Sequence, residues 1–347
     1  MKHGKSLLRA FIGCVVSAFF IWLTLRGKDL GAIWESARSA DYSYLVYYVG
    51  TLLLIHLLRV FRWGILLERL GAVRFSRLNR AGAIGAAALM TLPFRLGEFA
   101  RPYLISDRGA PPGEGETPIR MSAALSTIVV ERIMDGLTTS AVLIVSLLLT
   151  VGQSNETEQV TWLRYGALGI AAIFGGAGVT LLILLWQRER AVGLIRRIVA
   201  LVSERLAERV VAILDGFLGG VAQFPRPARF LLFLVLTVVY WGVNGAGMVL
   251  LARGFGIYLT LEQGYAVLGV LVIGVMIPAG PGMVGTFQFF VLLGLGLFLP
   301  AEQVAESGMA YANVLWAAQF GQQVGLGLIF LLLKPGSVRA FVPEPEP

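Results

Sequence analysis

Residues 121–150 form a largely apolar run about thirty residues long, and Glu131, Arg132 and Asp135 sit a third of the way along it. About twenty apolar residues cross a bilayer as a helix, so a run of this length has few other fates. Each ionisable side chain near the centre of such a helix costs roughly 2.5–3.5 kcal/mol. A chain that keeps three of them turns them toward a protein interior or a wet cavity, where they meet a partner or a polar substrate. On a helix Glu131 and Asp135 are four apart and share a face, while Arg132 and Asp135 are three apart and are also neighbours.

Runs 6–25, 42–60, 161–186, 230–251 and 308–333 are of spanning length as well. The chain is 56% hydrophobic with 14% charged residues, against about 25% charged in soluble domains. Its mean hydropathy is +0.75. It therefore reads as an integral membrane protein. The net charge of +8 is not a nucleic-acid signature, because the basic residues lie between apolar runs without interleaved aromatics. They read as topology signals and contacts to anionic lipid. The lone cysteine, Cys14, permits no internal disulfide, and His3 and His56 are too scattered for a metal site. No cofactor or metal is expected. The first run follows Lys2, Lys5 and Arg9 and closes on Trp22 and Arg26 without a small-residue cleavage site, so it reads as an uncleaved helix rather than a signal peptide.

Two apolar stretches are irregular. Residues 81–93 stop at Pro93 and are followed by Arg95, Glu98 and Arg101; residues 264–299 are broken by Pro278, Pro281, Gly282 and Gly285, followed by Gln288. Lysine and arginine number three at the N-terminus, six in 59–80, four in 94–120, eight in 187–229 and two in the tail; 151–161 and 300–307 have none and 252–262 has one, while 26–41, with three, is more basic than an outer segment should be. With the N-terminus cytoplasmic, the dense segments all fall inside only if each irregular stretch enters and leaves on one side, 81–93 from the inside and 264–299 from the outside. The expected fold is an all-α polytopic membrane protein. It has about six full spans and two oppositely oriented re-entrant helical hairpins, a candidate inverted repeat. Residues 1–334 form one transmembrane domain and 335–347 a short flexible tail, with both termini cytoplasmic at the cell membrane.

Between the spans, residues 188–222 carry apolar positions at helical spacing with Arg196, Arg197, Arg205 and Arg209 between them, which suits amphipathic helices on the inner leaflet. Loop 106–118, rich in proline and glycine, reads as flexible. Arg59, Arg62 and Trp63 read as interface anchors at a helix end, with contact to anionic head groups open to Arg59 and Arg62, and His56 reads as a hydrogen-bonded core residue. Asn244, Gln319, Gln322 and Gln323 are expected to bond between helices.

Arg59-x-x-Arg62-Trp63-x-x-Leu66-Leu67-x-x-x-Gly71 is followed by Pro93-x-Arg95-x-Gly97-Glu98-x-x-Arg101, by Glu131-Arg132-x-x-Asp135, and by Pro278-x-x-Pro281-Gly282-x-x-Gly285. In this order the motifs resemble the flippase-like transmembrane family related to the membrane half of lysylphosphatidylglycerol synthases. The resemblance runs from the second helix to the last. It implies a lipid-flipping membrane half. Bifunctional members add a soluble aminoacyltransferase domain, and the short tail after Lys334 leads to the expectation that this chain does not aminoacylate lipid. The family commonly has a glutamate shortly after the second glycine-rich break, where this chain has Gln288, which retains hydrogen bonding but not charge.

The chemistry follows from the residue types. Broken helices offer free N–H ends to a phosphate, and arginine adds bidentate contacts. Arg95 and Arg101 are the first candidates, with Arg132 deeper; Glu98, Glu131 and Asp135 pair with them or attract a cationic head group. With Pro278, Gly282, Gly285 and Gln288 these make up the expected substrate-binding set. The favoured function is a non-enzymatic transporter of a phospholipid or polyprenyl-linked lipid, with anionic lipid and the bilayer as partners. No phosphate-binding loop for a nucleotide triphosphate occurs. An intramembrane glycosyl- or phospho-transferase and a non-transporting partner of envelope-lipid biosynthesis are the alternatives.

Overall fold

The computed structural model describes residues 15, 18–24, 26, 28–109, 111–150, 158–223, 225–277 and 279–333. Most of the first run, the tail and Pro278 lie outside them. The described chain is helical: α1 Leu30–Ser39, α2 Ser43–Leu67, α3 Phe75–Thr91, α4 Ala100–Ile105, α5 Met121–Leu149, α6 Glu158–Trp186, α7 Arg188–Ala200, α8 Glu204–Ala222, α9 Pro227–Arg253, α10 Leu261–Val275 and α11 Thr286–Leu295. The last, α12 Ala301–Leu333, has a π-turn at Val304–Gly308. α2, α5, α6, α9 and α12 are long and apolar enough to cross a membrane. The chain is a multi-pass membrane protein.

The ends of these helices follow from local chemistry. Asp29 caps α1 by accepting from the Gly31 and Ala32 N–H groups. Thr260 and Gln263 form a reciprocal capping box at the start of α10. Pro227 opens α9 in the first turn, where its missing N–H costs nothing. Ahead of Pro93, Leu92 is forced into extended backbone and α3 stops at Thr91.

Both irregular stretches double back. After α3 a 3-10 segment, Pro93–Phe99, leads into α4, and both pack against α3. The return is tight because Gly97 lies against the α3 backbone: a Cβ there would stand 2.1 Å from the Leu89 nitrogen. The second stretch folds α11 back along α10 through a turn in which Gly282, Met283 and Gly285 all have positive φ. The Gln288 side chain accepts from the Gly285 N–H at 2.8 Å and caps α11. The two turns lie against one another.

α2 packs along α9 and α3 along α12. The largest apolar cluster, around Tyr48, Leu251, Val291 and Tyr311, joins α2, α9, α10, α11 and α12. A second, around Trp63, Ile84, Ile105 and Ala124, joins α2, α3, α4 and α5. α6 leans mainly on α5, and its apolar span has no buried residue. α7 and α8 are amphipathic, as expected of 188–222, with Ser203 capping α8, which packs on α5.

Three readings change. Segment 26–41 contains α1, which the scattered charges of that stretch concealed. α2 continues to Leu67 rather than ending near residue 60. Loop 106–118 is tied down at Glu116, which accepts from the Gly113 and Arg74 N–H groups and pairs with Arg77 at 2.7 Å. Burial pushes the Glu116 carboxyl up, but these donors outweigh it and hold its pKa below the usual carboxylate range.

Candidate functional site

One turn of α5 supplies Glu131, Arg132 and Asp135, and three other segments bring charges to meet them. From α2, Arg62 donates to Asp135 at 2.5 Å. From α4, Arg101 donates to Glu131 at 3.3 Å. From the 3-10 turn, Glu98 pairs with Arg95 at 2.7 Å and with Arg132 at 3.4 Å. Arg132 stands in the middle, also 3.7 Å from both Glu131 and Asp135. Arg62 is 0%, Glu131 1%, Arg101 4% and Asp135 6% exposed, so the cluster is interior. Charges held there need partners, and each of these carboxylates has at least two arginines.

Aromatic groups finish the arrangement. The Arg62 guanidinium lies over the rings of Tyr240 and Phe233, and that of Arg101 over Trp63. Trp63 donates to Thr127 and Trp241 to Asp135. Arg59 donates to the Tyr240 hydroxyl at 3.1 Å.

Beside the cluster lies a cavity of about 140 Å³, walled by Arg59, Arg95, Glu131, Arg132 and Asp135 with Tyr240, Trp241, Asn244, Gln319 and Gln323. The second glycine-rich turn closes it through Gly282 and Met283, held by Trp316 donating to the Gly282 carbonyl. Arg95 crosses from the first turn to the second, donating to the Val275 carbonyl at 3.0 Å. Its backbone is left-handed, with φ 57°. On the other side of Arg95 and Arg132 runs a groove of about 640 Å³ between α5 and α6, lined by Leu125, Ile128, Val129, Ile173, Phe174 and Leu184 and ending on Glu98.

The expected residues divide. Arg95, Glu131, Arg132, Asp135 and Gly282 line the cavity; Glu98 reaches only the groove. Arg101 is turned onto Glu131 and Trp63 and lines neither. Gly285 and Gln288 are engaged in capping α11, and Pro278 lies outside the described residues. The interface role read for Arg62 and Trp63 is corrected: both are 0% exposed, because the acids of α5 and an aromatic bed draw them inward. Arg59 likewise joins the cavity wall. His56 is hydrogen-bonded to Asn79, as a core residue. Asn244 bonds within its own helix, and Gln319 donates to Tyr48. Tyr240 and Trp241 were missed, since aromatics in an apolar run carry no local signal. Among the described residues no group of three His, Cys, Asp or Glu is placed to hold a metal.

Residues 10–320, which include the whole cluster, match the protein family described as the lysylphosphatidylglycerol synthase TM region. No curated protein matches the chain.

Proposed function

The chain belongs to the family of lysylphosphatidylglycerol synthase transmembrane regions, and from that premise we propose that it carries a membrane lipid across the bilayer without modifying it. The observation behind this reading is that Arg95 and Arg132 stand where the apolar groove meets the polar cavity. An amphiphile has that same division. Its acyl tail fits the groove between α5 and α6, open to the bilayer, while its head group enters the cavity and meets guanidinium donors. The doubled-back segments are re-entrant, the α3–α4 hairpin from the cytoplasm and the α10–α11 hairpin from the outer side, and their turns meet at the substrate path. The protein resides in the cell membrane with its termini cytoplasmic.

The cavity measures about 140 Å³, room for several waters. It is narrower than most ligand pockets, so passage of a head group requires the hairpins to part. Reconstitution in vesicles carrying fluorescent lipids of several head groups tests the proposal. Wild type accelerates loss of outer-leaflet asymmetry for at least one lipid, and Arg95→Gln, folded to the same thermal midpoint, slows it. No acceleration for any lipid, or equal rates for Arg95→Gln, overturns the reading.

A further inference from the structure

The charges of the cluster do not balance. Arg62 pairs with Asp135, Arg101 with Glu131 and Arg95 with Glu98. Each carboxylate is then matched, and two guanidinium groups remain. One is Arg132, which shares the same three acids at 3.4–3.7 Å. The other is Arg59, whose hydrogen-bond partner is the neutral Tyr240 hydroxyl; no carboxylate among the described residues lies within 4.0 Å of it. His56, one turn away, is bonded to Asn79. Both spare cations face the same cavity. Five arginines against three acids thus leave an excess of two positive charges in the protein interior, where unmatched charge is costly.

Resting on the transport reading, we propose that the lipid's head group is a dianionic phosphate monoester. Two negative charges match the excess held by Arg59 and Arg132. A monoanionic phosphodiester leaves one charge unmatched, a zwitterion leaves both, and a cationic head adds to them. The planar forks of the two arginines suit phosphate oxygens.

The purified full chain in detergent is titrated with phosphatidic acid, polyprenyl monophosphate, phosphatidylglycerol and phosphatidylcholine, reading the thermal midpoint and the affinity of each. Either monoester, or both, binds roughly tenfold more tightly than phosphatidylglycerol, as one additional charge-assisted contact gives; the two monoester arms separate a glycerolipid from an isoprenoid source. Arg59→Gln brings the affinities for monoester and diester to within about twofold of each other. Should that variant misfold, wild type alone decides. Its affinity for the monoesters rises as pH passes their second ionisation near about 6, while phosphatidylglycerol affinity stays flat. Equal affinity for monoester and diester, or a flat pH response for the monoesters, overturns the proposal. Preferential binding with no vesicle transport sinks the transport reading and leaves the charge match standing. Transport of phosphatidylglycerol and phosphatidic acid at equal rates does the reverse.

Discussion

The Arg62 guanidinium and the Asp135 carboxylate, 73 positions apart in sequence, meet at 2.5 Å in the interior of the bundle. The Arg62 guanidinium also lies over the rings of Phe233 and Tyr240. Removing one partner of such a buried pair strands the other charge and costs about 3–5 kcal/mol. Asp135→Asn therefore lowers the thermal midpoint in detergent sharply. The double variant Arg62→Met/Asp135→Leu recovers part of the loss, because an apolar pair replaces the ionic one while Arg132 and Trp241 still lose their contact with Asp135. A double variant as unstable as the single would show that the pair is irreplaceable by packing.

Gly97 and Gly50 predict opposite outcomes for the same substitution. A Cβ at Gly97 meets the Leu89 nitrogen at 2.1 Å and the Ala88 carbonyl carbon at 2.2 Å, both backbone atoms that no rotamer change relieves. Gly97→Ala costs about 1–3 kcal/mol or more. At Gly50, in α2, nothing lies within 4 Å, and Gly50→Ala gains up to about 1 kcal/mol of helix propensity. Thermal unfolding of the two variants side by side measures the contrast.

The re-entrant reading is tested by single cysteines in a Cys14→Ala background. Ser76→Cys and Glu114→Cys flank the α3–α4 hairpin, and Tyr258→Cys and Glu302→Cys flank the α10–α11 hairpin; all four positions are exposed. Impermeant maleimide reaches the first two from the cytoplasmic side and the last two from the other. If Ser76 and Glu114 label from opposite sides, the first hairpin crosses the membrane fully.

Glu116 gives the loop a pH response of known sign. Its folded pKa lies below the unfolded one, so its contribution is complete above about pH 4.3 and is lost as pH falls through the folded value. Limited proteolysis of the 106–118 loop rises in that acid window for wild type. Glu116→Gln is cleaved more readily at pH 7 and loses the acid step.

Much of the architecture was legible because bilayer-length apolar runs admit one structure, and because Pro93 and the Gly282–Gly285 region break helices by backbone chemistry alone. The cluster was legible in part. Glu131, Arg132 and Asp135 announced themselves by standing in an apolar run, yet their partners Arg62 and Arg101 are set by tertiary contacts that no local window contains. The same rule that flagged charge in a membrane misplaced Arg59 and Arg62, since arginine near a span's end is ordinarily an anchor. The cap role of Gln288 could have been read from its position three residues after Gly285. Tyr240 and Trp241 had no such clue.

The last turn of a helix leaves carbonyls without partners, and at the end of α10 the Val275 carbonyl is met by Arg95 from the other hairpin. One broken segment thus supplies the terminus of the other. A chimaera that borrows a single hairpin from a relative inherits a helix without its stopper and an arginine without its acceptor, so the two hairpins are heritable only as a matched set.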